Sequence, residues 1–436
     1  MKIGLYITSL VAGIQLLVGC KVENKPIVVT PEDRPRPTFT IMYYTVGGGT
    51  LDEAIERTIT DLAERGAKQN IRFTGCVKWT KGYTSELSDG EGCVYRFRLD
   101  NSSSALKLDR VGDNNYALHD PESIADFIRW SKETSPADNY ILVLAGHGNG
   151  WHPEVGLLGT RGTLRDTDLD RYISLEELCQ GIAASDTHFR MIQMISCLMN
   201  TVEYITPLAD YCDYILASSH ISVMLCTELA FLQMSLREIE EQSNEAFIDA
   251  IGGYLDNIKL DIGLKMLSDE VLDFSLTDTR EVAALNSEIK RLTAMLLRLY
   301  DKADSVTIDK CEEELAKAYY YIAAHSSPEE MAQTEYLRMA FTYDIVDIAR
   351  RAAVAIGDSE SSDIASALAL QAARTRVLNY TTTLDGVDEV YYGVTLTNGE
   401  KWVERGYAEA GYENTKFDQT TGWSHFLKRN NIEVAY

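Results

Sequence analysis

Two side chains able to carry nucleophilic chemistry close two apolar runs of this sequence. Ile141–Ala145 is five consecutive apolar residues and leads into Gly146-His147-Gly148-Asn149-Gly150-Trp151. Met191–Cys197 is a second apolar run, ending on a cysteine. Runs of this kind are the pattern of strands buried on both faces of a parallel sheet. A histidine at the carboxyl end of such a strand lies where open α/β sheets bind ligands, and flanking glycines leave its imidazole accessible. The separation, 197 − 147 = 50 residues, accommodates one loop and one crossover helix between neighbouring parallel strands. The thiol and imidazole then share one sheet edge, as a cysteine nucleophile and its proton acceptor require. The competing reading is a cysteine that only packs.

The elements that must position this pair follow from the chain on either side. Phe39–Val46 reads as a strand of β-branched and aromatic residues, followed by Gly47-Gly48-Gly49. A helix then starts at Thr50, with Glu53 completing a capping box, and Gly66 stops it. The glycines lack the Gly-Lys-Ser/Thr and GxGxxG contexts of phosphate loops, so they read as a tight strand-to-helix turn. Ile71–Trp79 and Val94–Leu99 read as hairpin strands, Pro121–Glu133 as a helix, Asn200–Asp210 as the helix after the cysteine, and Tyr214–Ser218 as a strand. From Thr227 helical patterns dominate: Thr227–Glu241, Asn244–Leu260, Asp278–Lys302, Asp309–Ala324, Glu335–Ile356 and Ser362–Leu378. Val271–Leu276 and Val390–Leu396 read as strands, at least one of which returns to the sheet. The expected division is a core over residues 38–226 and a helix-rich C-terminal region over 227–436.

The N-terminus carries an address. Lys2 precedes an apolar stretch, Ile3–Val18, which closes on Leu17-Val18-Gly19-Cys20. This resembles a bacterial lipoprotein signal peptide over residues 1–20, with Cys20 the lipidated residue. Residues 21–37 hold Pro26, Pro31, Pro35 and Pro37 and read as an extended tether. The expectation is an exported cell-envelope lipoprotein anchored to a membrane through its N-terminal lipid. A formal charge of −25, from 41 basic and 66 acidic residues, argues against a general nucleic-acid binder, which needs a basic surface.

Seven cysteines remain beside Cys20, and none has zinc-site spacing. The odd number leaves at least one unpaired, and Cys197 is the candidate. Cys76 and Cys93 flank the hairpin and read equally well as a disulfide or as two neighbouring buried thiols. Asp166-Thr-Asp-Leu-Asp-Arg-Tyr-Ile-Ser-Leu-Glu-Glu177 places acids Asp166, Asp168, Asp170 and Glu177 at calcium-loop spacing. Arg171 stands where such a loop needs glycine. Ser174 and Glu177 as a helix capping box is the first reading, with a non-standard calcium site as the second. No other cofactor is expected.

Strand-HGNGW followed by an apolar strand and Cys197-Leu-Met-Asn-Thr-Val-Glu-Tyr204 resembles the clostripain family of cysteine peptidases. The resemblance implies a caspase-like α/β fold, a mostly parallel sheet flanked by helices, and an endopeptidase acting on peptide or protein substrates. It makes Cys197 the nucleophile and His147 the base, with oxyanion donors at the backbone amides of Gly148 and Cys197. A helix N-terminus after Cys197 is expected to lower its pKa. Family members that cleave after arginine or lysine carry an aspartate two residues before the nucleophile. Ile195 stands there, so basic specificity is in doubt. Ile195, Ser196 and Glu228 are the substrate-pocket candidates, with Glu228 a replacement charge. Glu203 is expected to be structural, and His220 a pocket or surface residue. The family's processing loop corresponds to Gly159–Asp170, with Arg161, Arg165 and Arg171. The alternative function is a catalytically weak relative that binds peptides or a surface partner.

Overall fold

The structure, a computed structural model, describes residues 39–67, 70–99, 106–151, 162–220, 224–239, 242–264, 273–318, 342–381, 394–397, 407–408 and 410–430. The signal and tether readings, Cys20, Arg161 and the Val390 start of the late tyrosine-rich strand lie outside these residues. In chain order the elements are β1 (Phe39–Val46), α1 (Leu51–Arg65), β2 (Ile71–Lys78), β3 (Val94–Leu99), β4 (Leu108–Gly112), α2 (Pro121–Thr134), β5 (Asn139–Ala145), β6 (Thr163–Asp166) and β7 (Arg171–Ile173). Then come α3 (Leu175–Ala184), β8 (Phe189–Ile195), α4 (Val202–Leu208), β9 (Cys212–Ala217), α5 (Glu228–Leu236), α6 (Asn244–Leu264), β10 (Asp273–Asp278), α7 (Val282–Lys302) and α8 (Ser305–Leu315). The last are β11 (Thr342–Asp344), α9 (Ile345–Ile356), α10 (Ser359–Thr375), β12 (Arg376–Thr381), β13 (Thr395–Thr397), α11 (Lys416–Thr421) and α12 (Trp423–Leu427).

The apolar runs do become buried parallel strands. A nine-stranded sheet has the order β12-β10-β9-β8-β5-β1-β2-β3-β4. Its middle, β9-β8-β5-β1-β2, is parallel, and antiparallel pairs extend both edges. Side chains alternate between two cores. Ile141, Val143 and Ala145 of β5 join one with Ile55, Ile59 and Leu62 of α1, while Leu142 and Leu144 join the other with Ile124, Phe127 and Ile128 of α2. The apolar spacing on both helices is that of a single buried stripe.

Start signals were honoured unevenly. Asp120 caps α2 through a bond from Glu122 N–H, with Pro121 in the first turn, and Ser174 with Glu177 forms the full capping box of α3. Thr50 makes no side-chain cap bond at α1, so the capping box expected there does not form. The turn instead closes through the Gly48 carbonyl, which accepts from Leu51 N–H at 3.1 Å.

Arg36–Tyr436 forms one compact unit. Leu285, Ile289, Leu292 and Leu296 of α7 share the core of α2 and the parallel strands, so the helix-rich C-terminal region packs as part of the same body. β10 returns to the sheet beside β9 and β12 follows it. The described part of the late strand, β13, pairs instead with β11 in a separate two-stranded sheet.

Candidate active site

Thr45 of β1, Ala145 of β5 and Ile195 of β8 stand in one row across three parallel strands. Each strand ends at or just after that row, so the next two or three residues converge on the same edge: Gly47-Gly48, His147 and Cys197. The chain passes from β1 to β2 on one side and reaches β5 on the other, which makes this edge a switch point of the kind that forms binding crevices. The strand ends are drawn close. Gly146 N–H donates to Ile195 O at 3.2 Å. A Cβ on Gly148 would stand 2.8 Å from Ser196 Cβ and 2.9 Å from Cys197 O. His147 and Cys197, both half-buried, line a single cleft of about 710 Å3 with Leu51, Arg165, Tyr172, Ile195 and Met224.

The imidazole is oriented by a backbone atom. His147 Nε2 lies 3.3 Å from the Gly48 carbonyl oxygen. A carbonyl only accepts, so the bond places the ring proton on Nε2 and leaves the Nδ1 lone pair as the acceptor. Gly148 bridges to Thr163 of β6, and Asn149 N–H donates to Gly162 O at 3.4 Å. This pattern makes Gly148 a non-hydrogen-bonded bridge position, with its own N–H turned away from β6.

The Cys197 turn is held from below. Leu198, directly after Cys197, has φ +61°, a conformation costly for a leucine. Its N–H donates to His220 O at 2.9 Å, and Asn200 N–H to Ser218 O at 2.9 Å. His220 is buried and braces this turn through its carbonyl, so it is not the surface or pocket residue expected. α4 begins at Val202, 202 − 197 = 5 residues beyond the thiol. Helix-terminal fields fade within a turn, so the helix-based lowering of the thiol pKa loses its footing.

Of the pocket candidates, Ile195 lines the cleft. Ser196 is buried and accepts from the Thr163 hydroxyl at 3.3 Å. Glu228 is also buried and accepts from Leu225 N–H. Neither is among the described residues lining the cleft. Glu203 is fully buried and accepts from the Tyr412 hydroxyl at 2.9 Å. The four calcium candidates are each met by donors of the protein itself. Asp166 takes Lys78 Nζ at 2.6 Å, Asp168 takes Lys81 N–H at 3.1 Å, Asp170 takes Arg165 at 2.6 Å, and Glu177 takes Ser174 N–H at 2.9 Å.

Burial pushes Cys76 and Cys179 up to about 12 and Cys311 up to about 11. Cys76 and Cys93 are both free and buried, and they belong to the cores on opposite faces of the sheet. They are therefore neither a disulfide nor the neighbouring pair expected. A second cavity, of about 580 Å3, is lined by Trp151, Arg171, Tyr204, Gly411 and Lys416. It lacks both His147 and Cys197 among its described lining, and among the described residues only Tyr172 borders both spaces.

Sequence reasoning missed two contacts around His147 and Cys197. The Gly48 carbonyl had no signal, since every residue has one. Tyr412, which meets both Glu203 and Trp151, is separated from them by more than two hundred residues. Among solved structures, a secreted C11 cysteine protease from Bacteroides thetaiotaomicron, "iotapain", superposes with TM-score 0.57 at 15% identity, covering 89% of this chain and 100% of its own. A secreted C11 protease from the same organism in complex with an irreversible peptide inhibitor gives 0.59 at 14%, covering 89% and 99%. An inactive zymogen C11 protease from Parabacteroides distasonis gives 0.58 at 15%, covering 88% and 98%. These likenesses show the fold. No curated protein sequence matches the chain. The family model for the clostripain family matches residues 96–436, well over half of the chain, and the protein is therefore a member of the clostripain family of cysteine peptidases.

Proposed function

We propose that this cysteine peptidase is an exported, lipid-anchored endopeptidase that hydrolyses peptide bonds through a Cys197–His147 dyad. The observation that carries the reading is the common row of Ala145 and Ile195, which delivers imidazole and thiol to one cleft. His147 Nδ1 takes the thiol proton while Nε2–H stays on the Gly48 carbonyl. The thiolate attacks the substrate carbonyl, and the oxygen that gains charge is received by the amides of Gly148 and Cys197. The imidazolium protonates the departing amine, and water then releases the acyl group from its thioester.

The described cleft supports apolar or small side chains at the position Ile195 contacts. Ile195, Met224, Leu51 and Ala54 supply its apolar wall. A lysine or arginine side chain there would be desolvated without a carboxylate, at a cost of about 3–5 kcal/mol for an unpaired buried charge. Cleavage of a mixture-based peptide library is the test, run beside Cys197→Ala. Turnover lost in the variant, with cuts after apolar or small residues, is the expected result. Cuts after lysine or arginine would overturn the specificity, and turnover unaffected by the substitution would overturn the dyad.

The anchor is a separate part of the proposal and rests on the Leu17–Cys20 lipobox. Cells fed labelled fatty acid should incorporate it into the wild-type chain and not into Cys20→Ala. Equal labelling of both would sink it.

A further inference from the structure

The turn after β1 holds a carboxylate with no part in the steps above. Asp52, in the first turn of α1, is 3% exposed. Its Oδ1 accepts from Thr80 N–H at 2.8 Å, and its backbone carbonyl accepts from the Trp79 indole at 3.2 Å. The carboxylate lies directly against Gly47, where a Cβ would stand 2.0 Å from Oδ1 and 3.0 Å from the carboxyl carbon. The next residue, Gly48, offers its carbonyl to Leu51 N–H and to His147 Nε2. Gly48 is itself tightly packed, its absent Cβ 2.8 Å from Thr167 Cγ2 and 3.4 Å from His147 Cδ2.

We propose that Asp52 is a positioning residue for the dyad. Its buried carboxylate fixes the Gly47-Gly48 turn that orients His147, and it supplies the negative charge opposite the imidazolium formed in the reaction. When the Cys197 S–H bond breaks, the proton forms a new N–H bond at His147 Nδ1, and the electron pair stays on sulfur. Nε2–H remains on Gly48 O, and no proton passes to Asp52.

The surrounding charges make that role necessary. Gly48 O sits at the start of α1, where the positive end of the helix dipole opposes a cation, and an acid in the first turn offsets it. Burial raises the Asp52 carboxyl above the ordinary range, while its bonds from Thr80 and the His147 imidazole pull it back. Asp168 faces it from the β6–β7 turn, but Asp168 and its neighbour Asp166 are both paired with buried Lys78. Arg165 borders the cleft from β6 and is paired with Asp170. Asp52 is thus the acid with a direct packing route to the His147 anchor.

The catalytic meaning of this rests on the peptidase reading, so the test has one arm without turnover. Asp52→Asn keeps an oxygen for Thr80 N–H and fills the same space, and Asp52→Ser is a second neutral variant if the first folds poorly. Imidazole titration is followed by NMR in the full chain carrying Cys197→Ala, with His147→Ala assigning its signal among seven histidines. The His147 midpoint is expected to move to lower pH by roughly 0.5–1 unit in the neutral variants, the direction in which loss of a nearby anion moves a cation. In the otherwise wild-type chain, the acid limb of kcat/KM on a peptide, where the imidazole base becomes protonated, should move the same way. A midpoint that stays in place in a folded variant overturns the proposal. A moved midpoint in a chain without peptide turnover would retain the charge pairing and remove the peptidase reading instead.

Discussion

At the scale of single residues, the close approach of the His147 and Cys197 segments depends on side chains that are missing. Gly148 touches the Cys197 segment, and an added methyl would meet Cys197 O at 2.9 Å and Met199 Sδ at 3.1 Å. A sulfur at the end of a flexible side chain can move, whereas a backbone carbonyl in a braced turn cannot. Gly148→Ala should therefore cost about 1–3 kcal/mol by overpacking and displace Cys197 from His147. Urea denaturation should show the loss of stability, and alkylation of Cys197 by iodoacetamide should slow. Gly252→Ala in α6 is the control, since nothing lies within 4 Å of its absent Cβ and alanine favours a helix interior by roughly 0.5–1 kcal/mol. Equal effects of the two substitutions would refute the close approach. His147 and Cys197 could be picked out from sequence because their types and their apolar runs both point to chemistry. Gly48 could not, because its contribution is a carbonyl made special only by β1 lying beside β5.

Elements were legible where burial is two-sided and local. β1, β5 and β8 show continuous apolar residues, and the Asp120 and Ser174 caps are short-range chemistry. Edge and hairpin elements were not. β4 is partly exposed and has one strand neighbour, so its residues carry little periodicity. β12 follows α10 directly, and the apolar pair Val377-Leu378 continued the helical pattern across the boundary. The β6–β7 hairpin was hidden by acids at suggestive spacing. Its organising partner is Lys78, 88 residues from Asp166 in sequence and buried with it. A buried ion pair such as this is worth little over an apolar pair of the same shape, but losing one partner is costly. That asymmetry gives the hairpin a fixed place over the cleft, where Arg165, Thr167 and Tyr172 form one wall.

At the scale of the whole molecule, the segments that follow His147 and Cys197 are both fastened to one tyrosine from the far C-terminal part of the chain. Trp151, four residues after His147, meets the edge of Tyr412 at 4.7 Å between ring centroids and 87°, and Tyr407 stacks on the same indole at 6.2 Å. Glu203, six residues after Cys197, accepts from the Tyr412 hydroxyl. All four side chains are buried. Burial first, and then the Glu203 carboxylate, push the Tyr412 phenol well above its ordinary range, so it stays a donor throughout the working pH range. The helix-rich C-terminal region therefore has a reason to share the core of the parallel strands: it supplies the contact that keeps the two loops in register. Tyr412→Phe preserves the ring against Trp151 and removes only the bond to a buried carboxylate, a loss of about 1.5–3 kcal/mol. The variant should lose kcat more than KM, because the substrate cleft lies elsewhere and only the relative placement of thiol and imidazole shifts. Glu203→Gln in the same background removes the charge left short of a donor and should recover part of both stability and kcat. The double variant is then less impaired than the two single effects summed. Strict additivity, or a Tyr412→Phe chain as active as wild type, would mean that each catalytic loop holds its position independently.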